Sequence, residues 1–271
     1  MGTIVAVGGL RVGFVVIAVV VAFVMLFPLL IRERPSERLL PWTQGKSSLR
    51  QSDVGHSIMT SIGRLVRAFS LRSSIALALL ALTISISSGM LIGFSSVLII
   101  QDLEWSVEKN ATWSGFAAWM GLIGSIAGGL LADRVGARRL VAIAGSALAM
   151  MTLIFAEAEA WWRYDTFLIA HMFLGALLSG VLYVSLFALC MKVSWPLVAA
   201  TQFTAYMAML NFSRTIGQDL TGRIQDVVSI SGAYSLGAVL QAAPLLLLIF
   251  IDPDQTRRVL GNGESESDAS G

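Results

Sequence analysis

Most of the residues in this chain that could do chemistry lie inside long apolar runs. Thr204, Asn211, Arg214 and Gln218 follow the 204, 207, 211, 214, 218 spacing and so share one helical face. A polar side chain inside an apolar span is costly, which makes this stripe a candidate wall of a water-filled path. Arg214 would then be the counter-charge for an anionic group. The competing reading is that Arg214, about 27 Å along a helix that starts at Pro196, snorkels to the outer interface. His171 is the only Asp, Glu, His, Lys or Arg within its own run. Imidazole titrates near neutral pH, so His171 is a candidate proton-linked residue. Five residues into its span, it could equally be a neutral hydrogen-bonding group near the outer surface.

A second group is a turn, Gly128-Gly129-Leu130-Leu131-Ala132-Asp133-Arg134-Val135-Gly136-Ala137-Arg138-Arg139. Gly129 permits close helix approach, and Gly136 suits a tight turn with backbone angles that other residues resist. Asp133 is a carboxylate at a membrane surface, able to pair with an arginine or to face a helix amino end. Arg134, Arg138 and Arg139 anchor the turn on the cytoplasmic side. Upstream, Gly124 and Gly128 have the small-xxx-small spacing of helices that touch backbone to backbone, within one bundle or across a homodimer. Ser85, Ser87, Ser88 and Gly89 suggest another close or flexible helix contact.

Several chemistries are excluded. The sequence holds one cysteine, Cys190, so an intramolecular disulfide and a Cys-rich metal site are ruled out. No nucleophile–base pair, HExxH motif, phosphate-binding glycine loop or carboxylate pair within a span is present, and no cofactor is implied. A net charge of +2 with no basic run among aromatics does not suit nucleic acid.

The elements that carry these residues must be membrane helices. The chain has 271 residues, 56% of them hydrophobic and 13% charged, and a mean hydropathy of +0.76. A soluble domain carries about a quarter charged residues. A bilayer core needs ~20 apolar residues per helix. Stretches of that kind run over Val12–Ile31, Ser73–Ile100, Thr112–Ala132, Leu140–Ala156, Thr166–Met191, Pro196–Gly217 and Ser229–Ile251. The first is too long, and lacks a clear cleavage site, for a signal peptide. The expectation is an all-α membrane protein of about seven transmembrane helices.

Cations set the orientation. Arg11, Lys109, Arg163 and Arg223 fall on one side of the predicted spans. Apart from Arg214 inside a span, every other Lys and Arg, from Arg32 to Arg258, falls on the opposite side. The amino terminus is therefore expected outside and the carboxy terminus in the cytoplasm. Trp105, Trp113, Trp161, Trp162 and Trp195 lie at or near span ends, where indole rings favour the interface. Residues 32–72 form a long cytoplasmic segment. In it Ile58, Met59, Ile62, Leu65, Val66 and Phe69 recur at helical spacing opposite Arg64, Arg67 and Arg72. That pattern fits an amphipathic helix on the inner membrane surface or a short helix packed on the bundle. Residues 252–271 are expected as a disordered cytoplasmic tail, most clearly in the Gly/Ser/acid-rich stretch Gly261–Gly271.

The turn at Gly128–Arg139 resembles the signature Gly-x-Leu-Ala-Asp-Arg-x-Gly-Arg-Arg of the major facilitator superfamily. The resemblance implies that Gly129, Asp133, Arg134, Gly136, Arg138 and Arg139 form a conformational latch between transporter halves. Ala137 departs from the pattern, where the family commonly has a basic residue. The resemblance also implies that residues 1–31 correspond to the sixth span, 32–72 to the central loop and 73–251 to the second six-helix bundle. That bundle is built as two inverted three-helix repeats. Arg32–Trp42, and Ala200-Thr201-Gln202-Phe203 followed by Asn211 and Arg214, further resemble permeases of the muropeptide permease and acetyl-coenzyme A transporter group.

What the resemblance implies is secondary active transport, by alternating access, of a small polar solute such as a muropeptide-like or other anionic compound. Proton coupling and a bacterial inner membrane would go with it. The partners would be the lipid bilayer, the small-molecule substrate, and an amino-terminal half or a second copy. The latter is expected because this chain reads as part of a longer transporter. The alternative is a seven-helix membrane receptor or sensor, which leaves the Asp133/Arg134 turn without an account.

Overall fold

The computed structural model describes residues 14–26 and 54–261. The ends of the first expected span, the Arg32–Trp42 stretch and the last ten residues lie outside the described residues. The chain divides into two units, Met1–Ile62 and Gly63–Gly271. In the first, Phe14–Leu26 is an apolar helix (α1). A second helix, α2 (Val54–Phe69), begins there and ends in the second unit. The second unit continues with α3 (Arg72–Thr83), α4 (Ile86–Val97), α5 (Val107–Val135), α6 (Ala137–Glu157), α7 (Asp165–Val193), α8 (Ala199–Ile224), α9 (Ile230–Ala242) and α10 (Gln255–Leu260).

Five of these segments are long and apolar enough to cross a membrane: Arg72–Asp102, Val107–Val135, Ala137–Glu157, Asp165–Val193 and Ile230–Leu260. They match five of the expected spans. The expected span Pro196–Gly217 is the helix α8, whose 26 residues would reach about 39 Å. It falls short of the others in hydropathy because of the polar side chains it carries. Large apolar residues such as Trp119, Ile123, Ile126 and Leu130 on α5, and Ile143, Met150 and Ile154 on α6, are exposed. That outer surface suits lipid, where helices satisfy their own backbone polar groups.

Local chemistry explains where the long segments bend. The Arg72–Asp102 segment breaks at Ile84–Ser85. The Thr83 hydroxyl donates back to Leu79 O at 2.7 Å, competing with the helix ladder just before the break. The Ser85 N–H is not lost: it donates to Ser213 Oγ of α8 at 3.1 Å. The segment ends in a π-helical turn, Leu98–Asp102. In the last segment Pro244 tightens the continuation of α9 into a 3-10 helix over Ala243–Phe250.

Helix pairing rests on glycine. Along α5 and α7, Gly121 meets Ala176, Gly124 meets Leu177 and Gly128 meets Val181, so the two helices run parallel. A Cβ on Gly124 would overlap the Leu177 carbonyl, and one on Gly128 would stand 2.8 Å from Val181 Cα. The Gly124/Gly128 pair therefore packs within the bundle. Gly129 does not make the close approach expected of it; a Cβ there would meet Val184 Cγ1 at an ordinary 3.8 Å. It sits one position round the helix, so Gly128 faces α7 instead. On the other side of the bundle, α8 runs parallel to α3–α4, with Gln202 beside Ser74, Ser213 beside Ser85 and Thr221 beside Met90. Since α8 turns back directly after α7, α7 is antiparallel to α3–α4. This is the relation two inverted three-helix repeats require.

Each end of the bundle is closed by packing. At one end Leu98, Ile99, Trp105, Phe155, Trp162, Leu168 and Tyr234 form a buried cluster. Trp105 Nε1 donates to Asp165 Oδ1 at 3.0 Å, and Lys109 Nζ pairs with Asp165 Oδ2 at 2.6 Å. At the other end Ala68, Trp195, Val198 and Leu260 are buried together, with Leu65 against them. Trp105, Trp162 and Trp195 are thus buried end-caps rather than interfacial rings, whereas Trp161 is exposed.

The carboxy end of α2 packs on the bundle through Leu65, Ala68 and Phe69, whose ring meets Tyr206 edge-on at 5.4 Å. Ile62 and Val66 stay exposed on the same helix. The disorder expected from residue 252 does not hold for residues 252–260. Thr256 is buried and its hydroxyl donates to Val193 O at 2.6 Å. Asp252 pairs with Arg258, and Leu260 joins the end cluster, so residues 252–260 are ordered by these contacts.

Candidate functional site

The polar stripe on α8 is exposed, while the opposite face of the helix is buried. Thr204, Asn211, Arg214 and Gln218 all face outward; Gln202, Tyr206, Leu210, Ser213, Gly217 and Thr221 face in. The buried residues recur three and four apart, so one helix holds both sets without conflict. Gln202 is fully buried and satisfied: its Oε1 accepts from Trp195 N at 2.9 Å, and its Nε2 donates to Tyr206 Oη at 3.0 Å and Ser74 Oγ at 3.3 Å. It is a structural clamp.

The depth of Arg214 follows from its neighbour. A Cβ on Gly89 would overlap the Arg214 carbonyl, so the two residues sit at one level. Gly89 lies near the middle of the Arg72–Asp102 span. Arg214 is therefore far from both ends of that span, at a depth where an interfacial snorkel is a long reach. Asn211 and Arg214 line a cavity of about 280 Å³ together with Ser85, Tyr183, Phe187, Met207 and Leu210. Thr204 and Gln218 lie along the same face outside that cavity. Among the described residues Arg214 has no ion-pair partner, so its charge is available to an anion.

Tyr183 was not singled out from sequence. Its hydroxyl lies 3.3 Å from Ser85 Oγ and 3.2 Å from Ser88 Oγ, across the helix break of α3–α4. The Ser85/Ser88/Gly89 cluster supplied a hint of this contact, but the tyrosine comes from α7 and nothing local marks it.

His171 borders a different cavity, of about 480 Å³, lined by α4, α5, α6, α7 and α9 and open to the surface at Ile92, Ser96 and Ser114. Its ring stacks on Phe155 with centroids 3.8 Å apart, and Tyr234 stands edge-on at 6.2 Å. Among the described residues no hydrogen bond reaches it. The structure does not bring His171 together with Arg214.

The Gly128–Arg139 turn joins α5 to α6. Gly136 takes φ +92, ends α5 with its N–H on Ala132 O at 3.1 Å, and begins α6. Asp133, Arg134 and Arg139 are exposed and Arg138 is half-buried. None of the four has an ion-pair partner among the described residues. Ala137 is 2% exposed, packed with Ala132 and Leu140. A long basic side chain at that position would have to leave the core, which gives a physical reason for the alanine. Arg72, Lys192, Arg257 and Arg258 lie at the end of the bundle formed by Val193, Trp195 and Leu260, and Lys109 and Arg163 at the other.

A search of curated proteins and of solved structures returns no match to this chain. The sequence profile of the Major Facilitator Superfamily does match, over residues 1–218. That stretch takes in the Gly128–Arg139 turn and the stripe from Thr204 to Gln218, and the helical bundle agrees with it. The chain belongs to the Major Facilitator Superfamily of membrane transporters.

Proposed function

We propose that the chain carries one gating bundle of a secondary active transporter that moves a small polar solute with an anionic group, muropeptide-like compounds being one such class. The observation that carries this reading is the exposed stripe Thr204–Asn211–Arg214–Gln218, with Arg214 level with the middle of the neighbouring span. An unpaired guanidinium at that depth is expensive unless it faces water and an anion. Alternating access needs a second bundle rocking around the site. A polar helix face in hydrocarbon is equally unfavourable, so a second bundle, from the same polypeptide or from another copy, would cover α8. Asp133, Arg134, Arg138 and Arg139, all without ion pairs among the described residues, would latch against that bundle together with the Gly129–Gly136 turn.

The end of the bundle that carries Arg72, Lys192 and Arg257 would face the cytoplasm, in a bacterial inner membrane. Proton coupling through His171 would require it to exchange protons from the inner cavity. The receptor alternative has no observation in its favour. The experiment is uptake of a labelled anionic muropeptide into proteoliposomes, with and without a proton gradient. Arg214→Gln should abolish uptake and Arg214→Lys retain part of it. Uptake unchanged in Arg214→Gln would refute the pathway. Uptake insensitive to both the gradient and His171→Asn would remove proton coupling.

A further inference from the structure

A groove of about 630 Å³ runs between α6 and α7 and shares no lining residue with the Arg214 cavity. The two helices meet in antiparallel register: Phe155 stacks on His171, and a Cβ on Gly175 would stand 3.3 Å from Met151 Cε. Beside that seam the groove is formed by Ala147, Met150 and Ile154 on α6 and by Phe167, Ala170 and Leu174 on α7. Met150, Ile154 and Leu174 are exposed, so the groove is continuous with the apolar outer surface of the bundle, which faces lipid.

Chemistry and length restrict what can fill it. Among the described residues no Asp, Glu, Lys or Arg lines the groove, and its polar side chains are Ser146 and His171. A polar solute would lose its hydration there with little to replace it. Water needs two to four polar partners per molecule and finds too few. Left empty, the walls would forfeit dispersion contacts along their length. Met150 and Met151 are unbranched and adaptable, and so can follow a flexible apolar occupant. From Phe167 to Leu178 the groove follows α7 for about 17 Å at 1.5 Å per residue. One leaflet of a ~30 Å hydrocarbon core is about 15 Å deep. Above Phe167, at the near end of the bundle, Trp161 and Tyr164 are exposed, with ring centroids 5.8 Å apart. Phe167 N–H donates to Tyr164 O at 3.0 Å, which puts Tyr164 one turn above the groove. Exposed Trp and Tyr rings favour the headgroup level of a bilayer.

We propose that this groove binds one acyl chain of a bilayer phospholipid, with the headgroup at the level of Trp161 and Tyr164 and the tail reaching Leu178. The tail has a second effect. Met151, Phe155 and His171 line both the groove and the 480 Å³ cavity, so they belong to the partition between the two. A tail packed on the outer side of that partition holds Phe155 and His171 in their stack. The site rests on the membrane setting of the bundle and not on the Arg214 pathway.

The test reconstitutes the full chain in nanodiscs with a phospholipid that carries a photoreactive diazirine midway along one acyl chain. Cross-linked residues are mapped by mass spectrometry. Links to Met150, Ile154 and Leu174 should exceed those to Ile143, Val239 and Leu246, which are comparably exposed, several-fold. Ala170→Trp, which fills the groove from an exposed position, should bring the groove links down to that control level. Ala147→Phe serves if the tryptophan variant does not fold, judged by size-exclusion profile. Native mass spectrometry after delipidation should show one retained phospholipid per chain, lost in the groove-filling variant. Equal labelling of both surfaces marks ordinary boundary lipid and overturns the proposal. So do groove links that survive the filling variant, or links to a second protein chain in place of lipid. A diazirine fatty acid that labels the groove where the phospholipid does not overturns it as well, because the occupant would then not be the tail of a membrane phospholipid.

Discussion

The contact of α8 with α4 sets the depth and direction of Arg214, and one glycine tests it. A Cβ on Gly217 would overlap the Ile86 carbonyl and stand 2.7 Å from Met90 N and 2.9 Å from Ile86 C. All three are backbone atoms of α4, so no side chain can swing aside. To restore ordinary van der Waals distances, α8 must move away from α4 by on the order of 1 Å, which forfeits a good part of the dispersion contact along the interface. Overpacking of this kind costs about 1–3 kcal/mol. Gly222 lies five residues further along the same helix, and a Cβ there meets nothing within 4 Å. Gly222→Ala should instead stabilise α8 by roughly 0.5–1 kcal/mol, because alanine restricts the unfolded backbone and favours the helix. The two variants should therefore differ by about 1.5–4 kcal/mol in unfolding free energy, with opposite signs relative to the parent. The assay is equilibrium unfolding in mixed detergent micelles, followed by circular dichroism. Gly217→Ala should also lose transport, because the shift displaces Arg214 three residues away. If Gly217→Ala proves as stable as Gly222→Ala, the close α4–α8 approach, and the depth argued for Arg214 from it, are wrong.

Other outcomes follow from the same geometry. Gly136→Ala should cost about 1–3 kcal/mol, since φ +92 is strained for any residue with a Cβ although the space there is open; the same unfolding assay reads it. Gln202→Leu should destabilise by about 1–3 kcal/mol by leaving Trp195 N–H and Tyr206 Oη unsatisfied in the core, and Gln202→Glu should lose less of the Trp195 contact. Asp133→Asn should leave the unfolding midpoint unchanged, because the carboxylate is exposed and makes no ion pair among the described residues, while lowering the rate of uptake. A midpoint shift comparable with that of Gln202→Leu would show that Asp133 is a structural residue of the bundle rather than a latch.

Which segments are long and apolar enough to span a membrane can be read along the chain, because length and the absence of charge are local properties that the bilayer reads directly. The helices Arg72–Asp102, Val107–Val135, Ala137–Glu157 and Asp165–Val193 fall within a few residues of the uncharged stretches that predict them. The Gly128–Arg139 turn was legible for the same reason: its order of glycine, aspartate and arginine is contiguous, and Gly136 does adopt the positive φ its place demands. The intervals of seven, three and four residues between Thr204, Asn211, Arg214 and Gln218 were enough to put them on one face.

Tertiary structure alone decided which face that was, and how deep. Arg214 reads equally as a snorkelling cation or as one lining a water-filled path, and its level is set only by the contact with Gly89, which joins residues far apart in the chain. It likewise moved the close approach from Gly129 to Gly128, because a single step along a helix rotates a residue by about 100° and only the neighbour's position says which direction matters. The span-end tryptophans could have met lipid headgroups, but partners such as Asp165 and Gln202, from other helices or connections, bury three of them. Residues 252–260 look like tail in composition and are held only by groups such as Val193 O and Trp195 at the bundle's end. Tyr183 was silent for the same reason, although Ser85 and Ser88, the hydroxyls it meets, were marked as a helix contact. A hydroxyl cluster shared by two helices is a property of a packed interior, created when helices meet and absent from any one of them.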